Sequence, residues 1–263
     1  MSNAVQVLSA GSLRHAFPAI IGAFGHEYGI GISLTLGPAG LLRETIEEGA
    51  SFDLFASANM AHPQRLVSMG LAENAVCFAR NRLCVLSRAD LGLTTENFLA
   101  VLSDPAVGIG TSTPGDDPGG DYAFEVFDRI EARHPGKGEA IKSRSRQLVG
   151  GRNSPPAPPG KGGGYLIADG VVDLMMSYSS NARLLAGDPA FLVSSISPTS
   201  FSRLLNTAWQ SEGTRMTKPN IYESFCCRRP GRKFSAKPAF LRSADLQHAR
   251  IGDQLLGGAL ERR

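Results

Sequence analysis

The sequence predicts an α/β protein of two lobes, each a mostly parallel sheet flanked by helices. Three observations carry this reading. Short apolar runs alternate with segments of helical spacing over residues 5–70, and a second alternation of the same kind begins at residue 82. Small-residue turns stand where the apolar runs end, as strand-to-helix junctions of a doubly wound sheet require.

Residues 5–8 (VQVL) read as a buried strand. After Ser12 the apolar positions Leu13, Ala16, Phe17, Ile20, Ile21 and Phe24 mark one face of a helix that ends near Gly29. The run GISLTLG (31–37) is a strand, 41–48 a short helix closed by Gly49, DLFASAN (53–59) a third strand, and 61–69 a helix ending at Gly70. The second set has strands at 82–88 and 106–110, a helix near 95–102, a strong amphipathic helix over 122–133, and strands at 172–178 and 191–197. The Pro/Gly loop at 150–164 can hold no regular interior structure. No internal repeat is evident. Crossovers near residues 82 and 185 give lobe one as 1–83, with whatever part of 184–263 folds back, and lobe two as 84–183. Beyond Pro198 neither period persists, and residues 199–263 read as an atypical basic tail to which the pattern assigns no structure.

At 263 residues the chain can bury a sizeable core, and 42% hydrophobic with 19% charged residues is ordinary for a globular protein. The net charge of +3 is too small to argue for nucleic acid. Its distribution is uneven. From Phe201 onward there are 12 Lys/Arg against 5 Asp/Glu, and before it 15 against 19. No apolar stretch approaches the roughly 18–20 residues of a membrane span. No signal peptide is visible, since the first strand begins by Val5. Cys77, Cys84 and the adjacent pair Cys226 and Cys227 form no metal spacing and read as ordinary buried or incidental cysteines.

Several chemical motifs fail on inspection. PPGKGGG lacks the glycine and the Ser/Thr that a phosphate loop needs around Lys161. GTSTP at 110–114 has Pro114 where a nucleophile elbow needs glycine. His15, His26, His62, His134 and His248 are scattered, with no pair at metal-binding spacing. Asp116, Asp117 and Asp121 cluster at a helix start, where solvated carboxylates complement the macrodipole. What remains is a set of turns after strands, at Ser12, at GPAG (37–40) and at DPGGDY (117–122). Several such turns facing one cleft would bind an oxyanion through helix N-terminal N–H groups and hydroxyls. On spacing alone, Ser12 serves equally as a plain helix cap.

The segments VLSAGSLRHAF, GPAGLLRETIEEGASFDLFASANMAHPQRL and DPGGDYAFEVFDRIEARHPG resemble the molybdate-binding protein family, the solute receptors of molybdate ABC importers. The similarity runs in order from about Val5 to Pro198. It implies a type II periplasmic-binding fold whose two lobes close on a dehydrated tetrahedral dianion, with no catalysis and no cofactor. It also implies a periplasmic monomer that delivers its ligand to a membrane permease. Carried over residue by residue, it makes Ser12 a binding serine, Tyr178 a binding tyrosine, and Gly119 and Gly160 backbone donors. Molybdate or tungstate is the implied ligand, and cavity size the implied basis of discrimination against sulfate.

Two departures stand out. The family's second binding serine is replaced here by Ala39, which keeps an N–H but loses a hydroxyl. A hydrogen bond to a charged group is worth roughly 1.5–3 kcal/mol, or about ten- to a hundredfold in affinity. The tail also lacks the family's closing stretch. LNTAWQS (205–211) can be encoded so that a shifted frame reads Glu-Tyr-Gly-Leu-Ala-Val, so a frame shift near 198–205 is one account of it. A receptor for another small anion, a degenerate product with an impaired site, and an enzyme on the same fold are the rival readings.

Overall fold

The structure is a computed structural model that describes residues 4–156, 158, 164–185, 187–195 and the backbone of 221–228. Strand β1 (Val5–Ala10) leads through a single 3-10 turn (Gly11–Leu13) into α1 (Phe17–Tyr28). Then follow β2 (Ile32–Gly37), α2 (Ala39–Glu47), β3 (Leu54–Ser57), α3 (Ala61–Ser68) and β4 (Ala72–Asn81). The second lobe contains β5 (Leu83–Arg88), α4 (Phe98–Ser103), β6 (Ile109–Ser112), α5 (Pro118–Glu131), α6 (Lys137–Arg144) and β7 (Arg146–Val149). It continues with α7 (Tyr165–Ala168), β8 (Leu174–Tyr178), α8 (Ser179–Ala182) and β9 (Phe191–Ser195), and β10 (Ile221–Arg228) closes the described chain.

Two five-stranded sheets result, ordered β2-β1-β3-β10-β4 and β7-β6-β8-β5-β9. In each sheet four strands share a direction and one runs against them. The reversed strand is β10 between β3 and β4 in the first sheet, and β5 between β8 and β9 in the second. In the first, β2 and β3 lie on opposite sides of β1, and in the second, β7 and β8 lie on opposite sides of β6. That places a topological switch point between β1 and β3, and another between β6 and β8. Crevices at such points, beyond the strand carboxyl ends, are where open α/β sheets bind ligands.

Period-two alternation positions the core. On β8, Leu174, Met176 and Tyr178 face one buried cluster, while Met175 faces another with Leu86, Leu166, Ile167 and Val172. The first cluster is contiguous through both lobes, running from Ala10, Ala39, Phe55 and Leu66 to Ile109, Phe127 and Ile141.

Some expectations need correction. The second crossover lies not near 185 but past Ser195, because β9 pairs with β5 from Arg88↔Phe191 to Cys84↔Ser195 and so belongs to lobe two. Part of the tail folds back on lobe one, since β10 lies inside it and fills the gap between β3 and β4. Cys77 is exposed on β4, whereas Cys84 is fully enclosed, which pushes its thiol up to about 12. The long second-lobe helix also begins a turn earlier than its apolar face announces, at Pro118, with Asp117 as its cap. Proline is well suited to the first helical position, where no N–H is needed.

Candidate functional site

The expected binding residues lie at strand ends and helix starts of both lobes. Ser12 sits in the 3-10 turn directly after β1 and is half-buried. It does not cap α1, whose N-cap is Ala16. Ala39 is the first residue of α2 and is buried; Pro38 precedes it in extended conformation. Tyr178 ends β8, is buried, and shares the contiguous cluster with Ala39. Gly119 lies in the first turn of α5. Gly160 falls outside the described residues.

The two lobes meet through the starts of α2 and α5. The Gly40 and Leu41 N–H groups donate to the Asp116 carbonyl, at 2.8 and 3.3 Å. Glycine is required here, because a Cβ at position 40 would stand 2.2 Å from the Gly115 carbonyl oxygen and 2.6 Å from that of Asp116. The Arg152 guanidinium pairs with the Glu44 carboxylate across the same junction, and the Arg152 N–H donates to Asp116 Oδ2 at 2.9 Å. Tyr122 on α5 donates its hydroxyl to the Ala58 carbonyl beyond β3, at 3.4 Å.

Asp117 is the residue that sequence reasoning placed in the wrong environment. It is not a solvated carboxylate. It is half-buried, and its Oδ1 accepts the Gly119 N–H at 2.7 Å, so the expected ligand donor is held by the helix's own cap. Burial pushes its carboxyl up to about 6; the Gly119 N–H and Arg14 pull the other way, while Asp121 and Asp116 add to the rise. Gly150, beyond β7, lies against it, close enough that a Cβ there would fall 2.9 Å from Asp117 Oδ2. The sequence signal was Asp-Pro followed by two glycines, a cap and first helical position; its burial arises only from the partner elements.

A smaller network organises the end of β3. The Asn59 N–H donates to Ser57 Oγ at 3.3 Å, and Asn59 Oδ1 accepts the His62 N–H at 3.0 Å, fixing the turn of the DLFASAN block. His62 is buried, and burial with the nearby Arg43 charge lowers its imidazole to about 4. Among the described residues no group of three or more His, Cys, Asp or Glu side chains could hold a metal ion. Also among the described residues, no helix is long and apolar enough to cross a membrane.

A family described as bacterial extracellular solute-binding proteins matches residues 5–205, most of the chain. The chain belongs to that family. This solute-binding protein is 35% identical over 243 residues to an uncharacterized protein of Pasteurella multocida, covering 90% of this chain and 98% of the relative. It shares its fold with the periplasmic molybdate-binding protein of Azotobacter vinelandii, at a TM-score of 0.61, 17% identity and 85% coverage of both chains. It shares it also with PEB3 of Campylobacter jejuni carrying L-phospholactate, at a TM-score of 0.55 and 12% identity, covering 85% of this chain and 86% of that one. The type II periplasmic-binding fold is thereby established for the solute-binding protein.

Proposed function

We propose that the protein captures a small oxyanion between its lobes and hands it to the membrane permease of an ABC importer, acting as a periplasmic monomer without chemistry of its own. The observation that supports this reading is that the first turn of α2, which follows β2 of the first sheet, meets the segment between β6 and α5 of the second. Helix N-termini bind anions through free N–H groups and the macrodipole, without a neutralising side chain. Ser12, Ala39, Gly119 and Tyr178 are the proposed contacts on the described chain, and Gly160 a further one. Molybdate and tungstate are the ligands the resemblance implies, and the Azotobacter fold relative is named for molybdate.

A second ligand reading has a specific observation in its favour. The Gly119 N–H is held by a carboxylate, and a fully charged dianion arriving beside Asp117 meets like charge. A different small anion fits that environment better than molybdate does. Calorimetric titration of the folded protein with molybdate, sulfate and inorganic phosphate tests the function. Saturable binding of at least one, with compaction in small-angle scattering, is the expected result. No binding of any oxyanion by a protein that unfolds cooperatively would overturn it.

A further inference from the structure

We infer that Arg14 is a ligand-binding residue of this cleft, whose guanidinium grips an edge of two anionic oxygens such as a carboxylate or a phosphate presents. The inference rests on the oxyanion reading above and deepens it, because the family resemblance implies neutral donors alone.

Arg14 closes the three-residue turn that follows β1, two positions after Ser12. Although exposed, its side chain is anchored. The Nε–H donates to the Gly11 carbonyl at 2.7 Å, and the Arg14 backbone N–H donates to the same oxygen at 3.3 Å. The guanidinium is thereby folded back over the turn. Glycine leaves room for it: a Cβ at position 11 would stand 2.9 Å from Arg14 Nη2, and the three atoms nearest that point all belong to Arg14. Holding a long side chain in one place costs conformational freedom, and here its own turn has already imposed that cost.

With Nε engaged, the edge formed by the two terminal nitrogens is left over. Neither of them makes a hydrogen bond or an ion pair with a described residue. The guanidinium nevertheless stands where the lobes meet, since its charge pulls down the carboxyl of Asp117 in lobe two without pairing with it. Other cations nearby are taken. Arg152 pairs with Glu44 across the junction, and Arg43 pairs with Glu44 and Glu47 on its own helix. Arg14 is a cation fixed by its backbone and left without a carboxylate of its own, one turn from the strand end that carries Ser12.

A guanidinium is planar and always charged, and its parallel N–H groups match the two oxygens of a carboxylate or a phosphate edge. Such a bond is worth about ten- to a hundredfold in affinity. That is the size of the loss expected from the missing hydroxyl at Ala39, so the charged donor offsets the absent neutral one. A ligand held this way meets Ser12 and the turn from the strand end, and Arg14 from the side.

The test is calorimetry with inorganic phosphate, succinate and molybdate on the wild type, Arg14→Gln, Arg14→Lys and Gly11→Ala. The wild type is expected to bind phosphate or succinate, and the better of the two assigns the edge to a phosphoryl or a carboxylate group. Arg14→Gln should lose about ten- to a hundredfold. Arg14→Lys should recover little of it, because a point charge lacks the fork. Gly11 has no left-handed backbone, so alanine fits the turn and displaces only the flexible end of Arg14. That variant keeps the charge and should lose affinity in the same direction, and Gly11→Ala combined with Arg14→Gln should lose no more than Arg14→Gln alone. Unchanged affinity in Arg14→Gln overturns the inference and leaves oxyanion binding standing. Wild-type affinity in Arg14→Lys overturns it too, since the charge would then act only at a distance. Binding of molybdate alone overturns the ligand class. If no folded protein of the set binds any of the three, this inference and the oxyanion reading fall together.

Discussion

Helix α2 gives the N–H groups of Gly40 and Leu41 to a neutral carbonyl belonging to the other lobe, whereas α5 gives the Gly119 N–H to a carboxylate two residues away. Both starts are satisfied, as buried backbone donors must be. They are satisfied conditionally on different things. Parting the lobes frees the α2 donors. It leaves the α5 donor held, and only a change in the charge or identity of Asp117 releases it. One half of the cleft thus responds to distance and the other to ionisation.

The largest effect is expected from breaking the distance-dependent half. In Gly40→Ala the new methyl would overlap the Gly115 and Asp116 carbonyl oxygens, which belong to backbone and cannot swing aside. Alanine is a good helix residue, so lobe one should fold normally. Closure should lose about 1–3 kcal/mol, the usual scale of overpacking, and ligand affinity roughly five- to a hundredfold. Scattering with and without ligand reads the closure, and calorimetry the affinity. Unchanged values for both would mean that the α2 contact plays no part in the bound form.

The charge-dependent half can be isolated from stability against pH, because each lobe carries one displaced group of opposite sign. His62 in lobe one titrates at about 4 instead of 6.5, so its neutral burial supports folding above pH 6.5 and that support is lost as pH falls toward 4. Asp117 in lobe two titrates at about 6 instead of 3.8. The folded state then binds the extra proton, and stability declines as pH rises from about 3.8 to 6. The two slopes oppose each other in that window. Urea midpoints across it should steepen upward with pH in Asp117→Asn and slope downward in His62→Gln. Changes of the same sign in both variants would contradict this assignment.

The smallest effect belongs to the exposed pair between Glu44 and Arg152. Such pairs contribute about 0–1 kcal/mol and are screened by salt. Glu44→Gln should weaken ligand binding by less than about fivefold, with the difference vanishing at high ionic strength in the same calorimetric assay.

The alternation that gives the fold class was legible because β3, β5 and β8 are buried on both faces along most of their length and read as largely apolar runs. Strand β4 escaped detection because most of AENAVCFARN lies partly or fully exposed, with no clean period. Helix α6 is short and polar, and β7 has only four residues. Strand β10 carries no local signal at all. It is held by pairing with two strands remote in sequence, and its surroundings of arginine and proline disguise it. At the site, Tyr178 came only from the family resemblance, whereas Ser12 and the turns that hold Ala39 and Gly119 could be singled out in the sequence. The environment of Asp117 was not, since its burial is created by Gly150 and by the opposing lobe. Local sequence can name a cap but not what closes over it.

The insertion of β10 between β3 and β4 also fixes an order in time. All five strands of the second sheet are present once Ser195 has been made, but Asn81 on β4 waits for Ile221. At ribosomal speeds the interval is on the order of ten seconds. During it, the facing edges of β3 and β4 have no neighbour, and unpaired edges invite pairing with other chains. The half of the molecule that is synthesised first is therefore the last to be finished, and a chain truncated before Ile221 would leave the ribosome with one sheet complete and the other permanently open.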